Sequence, residues 1–183
     1  HEGDALRRWS PPPAAYRQYP AMLYGATKQL NEYQARLAAD RQGLDVAAVR
    51  PSLVFGPGHE SGPHAVWTEF AAAPARGEAV TIPHRPDQRL GLVHRDDVAD
   101  LFARVTLADR LAHHAYNTGG HVVTVRELAE RIERLFPGTV HADPDAEPVA
   151  LVADVANERA RRAFDYELTP LDAALRDTAG VDG

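Results

Sequence analysis

The chain has 183 residues, is 44% hydrophobic, and carries a formal net charge of −6 at pH 7 with no cysteine. That length and apolar content suffice to bury one core, as a single domain or as part of a larger one. The acidic balance argues against a nucleic-acid partner, the lack of cysteine excludes disulfides and thiolate chemistry, and no apolar run reaches membrane-spanning length, so a cytoplasmic protein with no membrane contact is expected.

Residues 1–20 are rich in proline (Pro11, Pro12, Pro13, Pro20) and read as an irregular loop. The first residue is His1 rather than methionine, which reads as a piece of something longer. From about Ala21 to Arg41, Ala26, Leu30, Tyr33 and Leu37 recur at helical spacing, and Gly43 is a natural stop. This stripe is predicted to face a core, with Tyr24, Lys28 and Glu32 on the opposite face. Lys28 is the one lysine in the chain; every other basic residue is arginine. A compact ammonium rather than a guanidinium fork is therefore wanted here, and the i,i+4 spacing lets it face the same bound molecule as the Tyr24 phenol. The plainer alternative is a surface tyrosine with Lys28 paired to Glu32.

Residues 45–50 form a short apolar run typical of a buried parallel strand, ended by Pro51. Val54-Phe55-Gly56-Pro57-Gly58 reads as a break in regular structure, at a strand exit where open α/β sheets place ligands. A helix over 65–73, ended by Pro74 and Gly77, and strands over 79–82 and 90–94 follow. Asp96, Asp97 and Asp100 open a helix over 96–109, with Arg104 and Arg110 towards its end, as the helix dipole favours. A strand over 115–118 closes at Gly119-Gly120. Thr124 with Glu127 makes a capping box for a helix to about Phe136, stopped by Pro137-Gly138. Helical stretches over 154–164 and 171–178 precede a polar tail. This is an α/β pattern without the glycine-rich opening of a Rossmann unit.

The histidines suggest no metal site. His113 and His114 are adjacent and point to different faces, no His-x-x-x-His occurs, and His59, His64 and His84 fall in predicted loops.

Three separated blocks, in order, carry a family resemblance: Tyr24-Gly25-Ala26-Thr27-Lys28; Val49-Arg50-Pro51-Ser52-Leu53-Val54-Phe55-Gly56-Pro57-Gly58; and Val93-His94-Arg95-Asp96-Asp97-Val98-Ala99 followed by Tyr116-Asn117-Thr118-Gly119-Gly120. Over most of residues 10–178 the chain resembles the C-terminal part of an extended short-chain dehydrogenase/reductase of the NAD-dependent epimerase/dehydratase family. The resemblance implies a partial Rossmann-type, doubly wound parallel sheet over residues 1–58 and a small mixed α/β substrate-binding lobe over 59–183 with interleaved Rossmann elements. It implies NAD or NADP as cofactor, a small-molecule substrate, and a homodimer in the full-length protein through the tyrosine-bearing helix, whose outward face includes Gln29, Tyr33, Gln34 and Arg36.

By the same resemblance, Tyr24 and Lys28 form the catalytic pair and also touch the cofactor. Pro51, Ser52, Leu53 and Val54 line its nicotinamide end, and Leu53, Arg89 and His94 face the substrate. A phenol is a weak base at neutral pH, and a nearby ammonium together with a cationic nicotinamide favours its charged form. Tyr24 would then pass a proton to or from the substrate oxygen while hydride moves at the cofactor.

Two departures bear on the substrate. Leu53 stands where many nucleotide-sugar enzymes of this family have asparagine, and Leu90-Gly91-Leu92 stands where many carry an Arg-Asp-Phe-type run. An epimerase or dehydratase of a nucleotide sugar and a plain NADP-dependent carbonyl reductase both remain open. So does a truncated, non-catalytic binding or structural module. A Gly-x-x-Gly-x-x-Gly run upstream in the same reading frame would decide for the enzyme.

Overall fold

The computed structural model describes residues 19–58, 65–149 and 151–181. The expectations for residues 1–18, His59 and His64 lie outside the described residues. The chain divides into two compact units, one through Ala48 and one from Val49 onward.

Among the described residues the first unit holds one long helix, α1 (Tyr19–Gln42). Gly43 ends it as expected, with a left-handed φ of 68° and its N–H donated to the Ala39 carbonyl at 2.9 Å. Burial of the apolar stripe is corrected by the structure. Leu30 and Tyr33 are 53% and 64% exposed, as open as Leu23 and Tyr24 on the rest of the helix. Periodicity says which side chains want cover, but cover itself must come from another element.

The second unit is built on short strands, the first of which begins at the boundary residue Ala48: β1 (Ala48–Arg50), β2 (Leu53–Phe55), β3 (Ala79–Ile82), β4 (Arg89–His94), β5 (Ala115–Asn117), β6 (His121–Thr124) and β7 (Thr139–Ala142). Its helices are α2 (Val66–Ala75), α3 (Arg95–Leu107), α4 (Val125–Leu135), α5 (Glu158–Phe164) and α6 (Leu171–Thr178). β2 runs parallel to β4, which pairs antiparallel with β6; β3 runs parallel to β7; β1 pairs with β5. The α/β class with parallel strand pairs is as expected.

Phe55, Phe70, Ile82, Leu90, Leu92, Leu128, Ile132 and Leu175 form a continuous buried cluster between the sheets and α2, α4 and α6. In α4, Val125, Leu128, Ala129 and Ile132 are buried at helical spacing. Its expected capping box is present: the Glu127 N–H donates to the Thr124 hydroxyl, and the Glu127 carboxylate accepts from the Thr124 N–H at 2.7 Å.

Several boundaries differ from expectation. The segment after Pro51 is not simply a break. Pro51 separates two strands, and the chain leaves the β1–β5 pair to join β4 through Leu53–Phe55. Pro74 lies inside α2 rather than ending it: its ring forgoes a bond to the Phe70 carbonyl, but the helix closes past it through Arg76 N–H, which donates to the Ala72 and Ala73 carbonyls. β6 and β7 add two strands beyond those the sequence predicts, and α5 starts at Glu158 rather than near residue 154. No helix among the described residues is long and apolar enough to cross a membrane.

Candidate active site

On α1, Tyr24 and Lys28 share one face as their spacing requires. Lys28 Nζ lies 5.0 Å from the centroid of the Tyr24 ring, within cation–π range. The Thr27 hydroxyl donates to the Tyr24 carbonyl at 2.7 Å, a local bond that leaves the Tyr24 and Lys28 side chains exposed.

In the second unit the strand-exit segment is held at both ends. Thr118 N–H donates to the Arg50 carbonyl and the Ser52 N–H donates to the Thr118 hydroxyl, both at 3.1 Å. Pro51 between them is exposed, whereas the Ser52 hydroxyl is enclosed without a hydrogen-bond partner among the described residues. Leu53, Val54 and Phe55 then lie in register with Leu92, Val93 and His94 of β4. The strand-exit block is thereby bonded directly to both parts of the third sequence block, the β4–α3 junction and the Thr118 turn. Sequence spacing could not show this convergence: the bond from Ser52 to Thr118, for one, spans 66 residues.

His94 is buried, with its ring set edge-on to Phe55 at 5.5 Å. Its Nε2 lies 3.1 Å from Asp177 Oδ2, out of line for a hydrogen bond, and its Nδ1 lies 4.0 Å from Asp96 Oδ2. His94, Asp96 and Asp177 thus bring three potential metal ligands together. The carboxylates lie nearest opposite nitrogens of the one ring, however, and Asp96 Oδ1 is already engaged by Arg95.

Arg89 sits at the other end of β4, about 17 Å from His94 along an extended strand. Only a long ligand could touch both. Arg89 instead faces the α4 cap, where its charge adds to the Thr124 hydrogen bonds that hold Glu127 below the usual carboxylate range. Between the two ends, Leu90 and Leu92 are fully buried, and a Cβ on Gly91 would collide with the Ala153 carbonyl.

Sequence reasoning gives Asp97 only a helix-dipole role. It is buried, and its carboxylate accepts from the Thr169 hydroxyl at 2.6 Å and from the Thr169 N–H at 3.1 Å, tying the loop before α6 to the β4–α3 junction. The one hint in the sequence is its place within the Val93–Ala99 block.

These blocks and this strand order find a match among known proteins. The profile of the NAD dependent epimerase/dehydratase family matches residues 11–119. The chain belongs to that family. A curated relative, dTDP-4-dehydro-6-deoxy-D-allose reductase from Streptomyces bikiniensis, is 28% identical over 98% of this chain and 54% of its own length. The GalE-like L-threonine dehydrogenase of Cupriavidus necator superposes with a TM-score of 0.72 at 21% identity, covering 86% of this chain and 54% of that one. UDP-glucose 4-epimerase from Thermus thermophilus, solved with NAD, gives 0.69 at 21% identity, over 86% of this chain and 52% of that one. At that identity the structural likeness speaks for the fold. The chain spans about half the length of these relatives. Family membership makes the architecture Rossmann-like and the family's chemistry NAD-dependent oxidoreduction and its epimerase and dehydratase variants.

Proposed function

We propose that this chain is the C-terminal portion of an NAD(P)-dependent oxidoreductase that acts on a hydroxyl or carbonyl group of a small molecule, with Tyr24 and Lys28 as its catalytic pair. Residues 1–58 would complete the cofactor-binding domain and 59–183 form the substrate lobe. The observation that carries the reading is the exposed Tyr24–Lys28 pair on one helix face, in a chain of this family.

The nicotinamide, when bound, supplies or accepts hydride. The Tyr24 hydroxyl would move the accompanying proton to or from the substrate oxygen, and Lys28 would hold the cofactor's ribose. The exposed Pro51 corner, with Leu53 and Val54 beyond it, fits the nicotinamide end. Ser52 would act there through its backbone, since its hydroxyl is enclosed.

For the substrate, β4 favours the simpler of two classes. Its middle offers buried Leu90 and Leu92 and a glycine packed on backbone, with no polar group for a diphosphate. Reduction of a carbonyl therefore fits better than recognition of a nucleotide sugar through β4, and a dTDP-4-dehydro-6-deoxy sugar, for which the curated relative is named, is the first compound to assay because its carbonyl serves either reading. If an extended nucleotide sugar is the substrate, Leu53 and His94 at one end of the lobe and Arg89 at the other are the residues to reach it.

The test is Tyr24→Phe in the full-length protein. Loss of the hydroxyl should lower turnover by about a hundredfold or more while NAD(P) binding survives. Near-normal turnover would overturn the assignment.

A further inference from the structure

The turn after β2 is gripped from two sides. Gly56 and Gly58 have φ values of 142° and 105°, which L side chains rarely adopt. From α2, the Thr68 hydroxyl donates to the Gly56 carbonyl at 2.6 Å, and the Trp67 carbonyl accepts the Gly56 N–H at 3.3 Å. From α3, Arg95 Nη1 donates to the Pro57 carbonyl at 2.8 Å. Arg95 is itself oriented by Asp96, whose Oδ1 accepts from Nε at 3.1 Å. Its methylenes fill the space a side chain at Gly56 would need: a Cβ there would come within 2.9 Å of Arg95 Cγ and 3.2 Å of His94 Nε2.

We infer that Arg95 is a positioning residue for the substrate end of the site, acting through the Pro57 carbonyl to hold the Gly56–Gly58 turn. The inference rests on the proposed function in so far as Leu53, which that reading also sets against the substrate, lies three residues before this turn. The guanidinium serves because it presents several donors in a planar fork. One edge is anchored on Asp96 while another reaches Pro57. A lysine in its place has a single charged point and cannot do both. Arg95 is also 47% exposed in its side chain, so direct contact with an anionic substrate is the competing role.

Two measurements separate these roles. The first is independent of any substrate: hydrogen–deuterium exchange of the peptide spanning residues 53–58 in the full-length protein. Arg95→Ala should speed exchange at the Gly56 and Gly58 amides by about tenfold, while the α4 amides stay unchanged. Unchanged exchange in the turn overturns the clamp, whatever the kinetics show.

The second is steady-state kinetics with NADPH and a dTDP-4-dehydro-6-deoxy sugar. Arg95→Ala should raise the sugar KM by about tenfold, with kcat and the NADPH KM within about twofold, and Arg95→Lys should recover little of the loss. Full recovery by lysine would mean that charge, not the fork, matters, and would replace the clamp with direct anion contact. Equal loss in every parameter together with a lowered Tm would reduce Arg95 to a merely structural residue. No turnover by the unsubstituted protein with any carbonyl substrate would instead sink the proposed function, leaving the exchange result to decide the clamp.

Discussion

Helix α1 and the body around β4 use their apolar residues in opposite ways. Leu90 and Leu92 on β4 are sealed between β2, β6 and the helices, while Leu23 and Leu30 on α1 are 55% and 53% exposed. Both segments show the hydrophobic pattern proper to their period. The difference lies in what each finds to pack against. The body closes its own core, whereas the helix carrying Tyr24 and Lys28 keeps its apolar face uncovered among the described residues. The proposed catalytic pair thus lies on the part of the chain that contributes least to the buried core among the described residues.

The largest expected consequence is in stability. Leu92→Ala should cost about 2–5 kcal/mol in urea unfolding, whereas Leu30→Ala should stay within about 0.5 kcal/mol. Equal costs at the two sites would show that α1 is buried in solution.

Activity should follow the reverse order. Lys28→Ala in the full-length protein should lower kcat/KM by at least about tenfold and weaken cofactor binding, with unfolding unchanged; Lys28→Arg should not restore it, because a fork cannot replace a compact ammonium. An arginine variant with full activity would remove the reason for the one lysine.

The exposed face of α1 also bears on assembly. We propose a homodimer of the full-length protein through this helix, with Tyr33 near its own copy across a two-fold axis. Light scattering should give a dimer, and Tyr33→Glu should shift it towards monomer. A dimer indifferent to charges placed along residues 29–36 would locate the interface elsewhere.

The smallest effects belong to the α4 cap. Thr124→Ala should cost about 1 kcal/mol. Hydrogen bonds from Thr124 lower the folded-state pKa of Glu127, so its contribution is present above the ordinary carboxylate range and fades as pH falls through the lowered value. The stability difference between the parent and Glu127→Gln should therefore shrink on acidification; a difference that grew would refute the cap's electrostatic share.

Much of this is legible in advance where the cause is local. The Gly43 stop, the Thr124–Glu127 cap and the shared face of Tyr24 and Lys28 depend on residues within four positions of one another. The strand-exit block is recognisable in the sequence, but its second half reads as a break because three residues after a proline give no usable period. β6 and β7 escape for a similar reason: four residues such as Thr139–Ala142 become a strand through Ala79–Ile82, far back in the chain. The tether from Asp97 to Thr169 spans 72 residues and leaves no periodic trace.

By itself, the sequence determined the α/β class, the helix bearing Tyr24 and Lys28, and the caps and stops, since helical geometry and backbone conformation act over one or two turns. Only the tertiary structure decided that β2 joins β4, that Gly91 makes room for the Ala153 carbonyl, that Arg95 reaches the Pro57 carbonyl, and that Leu30 and Tyr33 of the α1 stripe stay open among the described residues. Each of these depends on which distant surface arrives beside which, and that is settled by packing the whole chain rather than by any neighbourhood within it.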